Sequence, residues 1–139
     1  MAVLSLEERL EQVAEYLQWM LKVNCPKDTT NLSENINIEY TEKGMPRIVI
    51  GNEENADYAV YTNEPWTSDR WNGKRNPNEG WVDRTIAEST SMIQQIMSGE
   101  IPEDEFNELV GELKNEYDAQ VDEIINEIDN ELNSLRGGQ

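Results

Sequence analysis

The chain of 139 residues has no histidine and a single cysteine, Cys25. Histidine is the commonest general base and a frequent metal ligand, so its absence removes the most usual route to acid–base or metal chemistry. A single cysteine can form no internal disulfide, which is typical of a protein in a reducing compartment. Because no histidine can activate it and a proline follows it, Cys25 is expected to be a neutral thiol rather than a nucleophile.

Long apolar runs and glycine-rich phosphate loops are also missing from the sequence. The apolar runs are far shorter than a membrane span, and the N-terminus MAVLSLEERLEQ has no feature of a signal peptide. No serine lies in a nucleophile-elbow pattern, and no Walker or dinucleotide loop is present. Acidic pairs at helical spacing, such as Asp118 with Asp122, are expected to form a solvated helix face. The sequence therefore predicts that the protein is not an enzyme and has no catalytic residue, metal site or cofactor.

Basic residues are scarce, with 11 lysines and arginines against 29 acidic residues and a formal net charge of −18. This balance disfavours a general nucleic-acid binder, which needs clustered lysine and arginine, and equally a protein of anionic membrane surfaces. The charge is uneven, since residues 100–139 carry 13 acidic and two basic residues, whereas residues 1–99 carry 16 and nine. More than half of the net charge therefore belongs to the last 40 residues.

The apolar residues that are present recur in patterns typical of helices and strands. Ser5 and Glu8 form a capping-box sequence ahead of an apolar stripe at spacings of three and four, which predicts a helix that ends at Cys25-Pro26. Residues 35–41 alternate between polar and apolar, residues 42–44 supply a turn, and residues 47–51 predict a second strand of an antiparallel hairpin. Residues 57–62 predict a third strand, with a short helical turn as the alternative.

Two helices are predicted in the remainder of the chain. One runs from about residue 81 to residue 98 and ends at Gly99, and the next begins near Pro102. In the second, apolar residues repeat at spacings of three and four: Phe106, Val110, Leu113, Tyr117, Val121, Ile124, Ile128, Leu132 and Leu135. Such a helix would be about 50 Å long, so we expect it to protrude, to pack on a neighbouring subunit, or to break, with Gly111 as a weak point.

Together these elements predict an α+β fold. Its expected core, residues 1–99, is a small antiparallel sheet of about three strands, flanked by an N-terminal helix and a C-terminal helix. Residues 100–139 are expected to be a long acidic helical extension.

Residues 63–80 predict a long loop or an extended arm, because they contain two prolines and two glycines with little apolar periodicity. Tryptophans and basic residues alternate in and around this segment, and both types are enriched in interface hot spots. We predict partner binding by Tyr58, Tyr61, Trp66, Arg70, Trp71, Lys74, Arg75 and Trp81. Two alternatives are that the tryptophans anchor the loop to the sheet, or that the patch binds single-stranded nucleic acid.

An ordered series of motifs gives the sequence a resemblance to a known family. Residues 28–32 (DTTNL) precede an alternating strand, residues 58–61 (YAVY) follow the second strand, and residues 76–82 (NPNEGWV) lead into a helix. This order is similar to that of the tail-completion, or head–tail joining, proteins of long-tailed, siphovirus-type bacteriophages, over roughly residues 5–98. Thr30 stands where the family has glycine, and the acidic helix after Gly99 lies beyond the part that is similar.

The resemblance implies a structural virion protein of the phage neck, without catalysis or cofactor, that assembles in the host cytoplasm. Its expected partners are further copies of itself in a ring, as a hexamer or dodecamer, the head connector or stopper, and the tail tube or tail terminator. Passing DNA would be contacted only non-specifically, and no membrane would be involved. An acidic DNA-mimic inhibitor or adaptor that binds a host protein is the alternative function.

Overall fold

The computed structural model describes residues 4–26, 31–51 and 79–137. In chain order these ranges contain α1 (Leu6–Asn24), α2 (Asn31–Glu34), β1 (Ile36–Tyr40), β2 (Pro46–Ile50), α3 (Trp81–Met97) and α4 (Glu103–Gly137). Three long helices thus accompany a two-stranded antiparallel sheet, and the predicted α+β class is confirmed. The predicted third strand, residues 57–62, lies outside the described residues.

Helix α1 begins with the capping box that the sequence predicts. The Glu8 amide donates to Ser5 Oγ at 3.1 Å, and the Ser5 amide donates to Glu8 Oε1 at 3.3 Å. The helix ends at Asn24, and the C-cap residue Cys25 has an extended φ of −60° and ψ of 138°, as expected of a residue before proline. Helix α1 contacts α3, α4 and both strands, so it is the central element of the described fold.

The hairpin β1–β2 places one face of the sheet against α1. Its register pairs Ile36 with Ile50 and Ile38 with Ile48, and these residues lie on the same face because side chains alternate along a strand. Gly44 adopts a φ of 79° in the connecting turn, where its missing Cβ allows the positive angle. The predicted antiparallel hairpin is therefore confirmed, with each strand within one residue of its predicted bounds.

Two buried hydrophobic clusters hold these elements together. In the first, Leu21 and Cys25 at the end of α1 pack with Ile36 of β1 and Trp81 of α3. In the second, α1 contributes Tyr16, α3 contributes Ile96, and α4 contributes Phe106 and Val110. The core is thus a layer of helices packed around α1, with the hairpin at one end.

The turn between α3 and α4 depends on Gly99. Its φ of 80° permits the two hydrogen bonds of a Schellman motif, from the Gly99 amide to Ile96 O at 3.1 Å and from the Glu100 amide to Gln95 O at 3.0 Å. Arg9 Nη1 donates to Met97 O at 3.0 Å, so a cation lies at the negative end of α3. The predicted glycine stop of α3 is confirmed.

Helix α4 is continuous over 35 residues and does not break at Gly111. Phe106, Val110 and Tyr117 are buried, and the first two belong to the same cluster as Tyr16 of α1. An acidic extension that begins at residue 100 is therefore not confirmed, because the first four turns of α4 pack into the core. No helix among the described residues is long and apolar enough to cross a membrane.

Candidate interaction surface

The middle of α4 is fixed to the rest of the protein at Tyr117. The Tyr117 hydroxyl and Ser33 Oγ are 3.0 Å apart in a buried hydrogen bond. The Tyr117 ring meets Trp19 edge to face, with the ring centroids 5.8 Å apart and the ring planes at 68°. Lys22 Nζ donates to Ser33 O at 3.0 Å and lies 5.4 Å from each of the two ring centroids. These contacts connect α4 to α1 and α2.

Burial determines the pKa shifts of the ionisable groups at these contacts. Burial raises the pKa of Tyr117 above its ordinary value of 10.0, an effect opposed by the hydrogen bond with Ser33 and reinforced by the charge of Glu34. Burial also lowers the pKa of Lys22, since a charged ammonium is poorly solvated there, and Glu34 opposes that shift. Lys114 Nζ lies 5.5 Å from the Trp19 ring centroid as a second cation at the same aromatic group.

Beyond Tyr117 the apolar face of α4 continues, but the described elements bury it only in part. Val121 and Ile124 are half-buried, whereas Ile125, Ile128, Leu132 and Leu135 are 49%, 48%, 46% and 77% exposed. At 100° per residue, these positions fall within about 100° of the helix circumference, on the face that buries Phe106 and Val110 in the first turns. We call them the C-terminal stripe: Val121, Ile124, Ile125, Ile128, Leu132 and Leu135. The stripe extends for about 20 Å along the helix.

Acidic side chains border the C-terminal stripe on both sides. By helix geometry Asp118, Asp122 and Asp129 lie along one side; Glu127 and Glu131 lie along the other, with Glu123 one turn before Glu127 and farther round the helix. All six are exposed. No lysine or arginine occurs between Lys114 and Arg136. The exposed part of α4 therefore presents the apolar C-terminal stripe between two rows of acidic side chains.

A pocket of about 300 Å³ adjoins the stripe where α4 leaves the end of α1. It is lined by Cys25 of α1 and by Gln120, Glu123, Ile124 and Glu127 of α4. Gln120 Oε1 is buried and has no hydrogen-bond partner among the described residues. Because an amide oxygen and two carboxylates line it, this pocket presents hydrogen-bond acceptors and suits a donor, preferably a cation.

No family model matches this chain. Among curated proteins and solved structures there is likewise no significant match. The proposed function therefore rests on the surface of α4 and on the residues around it.

Most of the residues predicted to bind partners cannot be placed on this surface or any other. Tyr58, Tyr61, Trp66, Arg70, Trp71, Lys74 and Arg75 lie outside the described residues. Trp81 is described, and at 2% exposure it packs in the cluster formed with Leu21, Cys25 and Ile36. The side chain of Trp81 is thus part of the core, and partner binding by these residues stays a prediction.

Ile125 was missed by the sequence interpretation because the repeat was followed through its neighbour Ile124, although Ile125 is four residues after Val121 and three before Ile128. A helical projection of residues 118–136 would have placed it at the edge of the stripe. Among the described ranges no group of three or more potential protein ligands could hold a metal ion. The Asp118 and Asp122 side chains are exposed, as the solvated-face interpretation predicts.

Proposed function

We propose that this protein is a structural subunit of a bacteriophage neck, forming a ring that completes the tail and joins it to the head connector. The observation that carries the proposal is the C-terminal stripe, since soluble proteins rarely leave an extended apolar strip exposed without a partner. An α-helix that contributes to the core through its first turns and then presents aliphatic side chains is suited to assembly. Helix α4 carries no arrangement of side chains that catalysis would require.

The order of elements gives the proposal a second support. A capped N-terminal helix, an antiparallel hairpin and a helix that begins at Trp81 are present in the order expected from the resemblance to tail-completion proteins. Trp81, which belongs to the third of the matched motifs, is buried in the core with Leu21, Cys25 and Ile36. Under this proposal the protein has no catalytic activity and no cofactor.

The proposed partners are further copies of the chain in a hexameric or dodecameric ring, the head connector or stopper, and the tail tube or tail terminator. Binding of the head and tail proteins would involve the stripe and the segment that contains Trp66, Arg70, Trp71, Lys74 and Arg75. Passing DNA would be repelled by the acidic rows on α4 and contacted only non-specifically. We place the protein in the virion, and in the host cytoplasm during assembly.

One observation favours a second candidate, an acidic DNA mimic that occupies a nucleic-acid-binding site on a host protein. Residues 103–131 of α4 carry 12 acidic side chains on a single helix, a density that resembles a row of phosphates. The mimic does not account for Ile125, Ile128 and Leu132, since phosphate mimicry needs charge rather than aliphatic surface. We therefore rank it second.

The test is the mass of the purified full-length protein, alone and mixed with candidate neck proteins, by light scattering and native mass spectrometry. We expect a ring of defined stoichiometry, or a complex with a connector or tail-tube protein. A strictly monomeric protein that binds no virion component would contradict the proposal. Salt-sensitive capture by a host DNA-binding protein, without any neck complex, would favour the mimic instead.

A further inference from the structure

The acidic rows beside the C-terminal stripe restrict what can cover it. Two copies of the stripe packed face to face would bring Asp118, Asp122 and Asp129 of one copy close to acidic residues of the other. Like charges at a helix–helix interface are unfavourable, and no lysine or arginine of residues 115–135 relieves them. A second copy of the same surface is therefore a poor partner. A surface with basic borders is a good one.

The pocket at the inner end of the stripe selects for the same chemistry. Glu123 and Glu127 are one helical turn apart and line this pocket together with Gln120, whose Oε1 has no partner in the described part of the chain. A guanidinium or ammonium group there would donate to all three acceptors. Its aliphatic stem would lie beside Ile124, as long basic side chains commonly do.

We propose that the C-terminal stripe and this pocket form one docking site for a basic amphipathic helix of another protein. Apolar side chains of that helix cover Ile125, Ile128 and Leu132, and an arginine or lysine enters the pocket between Glu123 and Glu127. The other basic residues of the partner face the two acidic rows. This inference rests on the proposed assembly function, for which it names the chemistry of one partner.

The experiment measures binding of a fluorescent synthetic helix of about 20 residues to the full-length protein by anisotropy. The probe carries leucines on one face, bordered by lysine and arginine. One control peptide has the same leucines bordered by glutamate, and another keeps the basic residues but has serine in place of leucine. We expect the first probe to bind at least about tenfold more tightly than either control. Its affinity should fall as salt is raised from about 50 to about 500 mM, because salt screens opposite charges.

Protein variants separate the apolar contribution from the acidic one. Ile128→Ser combined with Leu132→Ser should weaken binding about tenfold or more, since each loses aliphatic surface that the probe covers. Glu123→Gln with Glu127→Gln should weaken it about threefold to tenfold and reduce the salt dependence. The matched control is Glu108→Gln with Glu112→Gln, the same charge change at the same spacing on α4, which should leave binding within about twofold.

Circular dichroism shows whether each variant folds. If the double serine variant fails to fold, Leu135→Ser provides the test, because Leu135 is the most exposed residue of the stripe. Equal binding of the glutamate-bordered peptide, or binding that strengthens with salt, would overturn the inference.

Other occupants of the stripe give distinct results. Self-association that strengthens with salt and disappears in the serine variant would assign it to a second copy. No binding of any probe, with a serine variant that unfolds more readily than the wild type, would assign it to the chain itself. Either outcome overturns the proposal. A monomer that binds the basic probe but no virion component would support the docking site and contradict the proposed ring. A ring that does not bind the probe would support the proposed ring and contradict the docking site.

Discussion

The two halves of α4 have the same repeat of apolar residues and opposite surroundings. In residues 103–120 the apolar face buries Phe106, Val110 and Tyr117 against α1 and its neighbours. In residues 121–137 the same face is exposed from Ile125 onward, by 46% at Leu132 and by 77% at Leu135. Both halves are acidic on the remaining sides. Helical periodicity therefore shows which face of a helix needs burial, while the extent of the rest of the fold determines how much of that face is buried.

Truncating one apolar side chain in each half is the strongest way to test this comparison. Phe106→Ala should lower the free energy of unfolding by about 3–5 kcal/mol, because it removes a buried ring and leaves a cavity beside Tyr16 and Ile96. Leu132→Ala should change it by less than about 0.5 kcal/mol in the unassembled protein, since the side chain is half exposed. Urea denaturation followed by circular dichroism gives both values. Similar losses in the two variants would mean that the outer half is covered as well as the inner half.

The angle at which the inner half enters the core depends on Gly99. Gly99→Ala should cost about 1–2 kcal/mol, because the residue has a φ of +80° and a Cβ there would lie 2.8 Å from Arg9 Nη2. Gly111→Ala is the matched control, since an added Cβ at Gly111 meets no atom within 4 Å and the residue is inside α4. It should stabilise the protein by about 0.5–1 kcal/mol through helix propensity. Thermal and urea unfolding measure both, and a stabilising Gly99→Ala would contradict the role of the turn.

The boundary between the two halves lies at Tyr117 and its hydrogen bond with Ser33. Tyr117→Phe should lower the free energy of unfolding by about 0.5–1.5 kcal/mol, because the ring stays packed on Trp19 while the hydroxyl is lost. A double-mutant cycle with Ser33→Ala isolates the pair and should give a coupling of about 1 kcal/mol. Additive effects of the two substitutions would mean that this hydrogen bond does not hold α4 in place.

How far the sequence predicts this fold varies with the range of the interactions involved. The capping box of Ser5 and Glu8, the glycine stop at Gly99 and the hairpin are predicted because neighbouring residues determine them. The contacts among Trp19, Lys22 and Tyr117 were not predicted from the sequence. These residues are far apart in the chain and meet only when α1 and α4 pack together.

The candidate surface was predicted only in part, for the same reason. The apolar repeat of α4 is visible in the sequence, yet its division into a buried and an exposed half depends on where α1 ends. The orphaned Gln120 Oε1 and its pocket depend on the same packing. The residues first predicted to bind partners, from Tyr58 to Arg75, lie outside the described ranges and stay predictions.

The smallest expected effect is a pH dependence in which the outer half of α4 takes no part. Burial is the main cause that raises the pKa of both Tyr16 and Tyr117 above 10.0. The stability that these two tyrosines contribute is therefore complete below pH 10. It is lost as the pH rises through their raised pKa values in the folded protein. The lowered pKa of Lys22 acts in the opposite direction, because its stability penalty diminishes as the pH rises from that lowered value toward 10.5. We expect Tyr117→Phe to lose less stability than the wild type above pH 10, as measured by urea unfolding across alkaline pH. The outer half contains no tyrosine, so Leu132→Ala should follow the wild-type profile, and a Tyr117→Phe profile parallel to the wild type would refute the assignment.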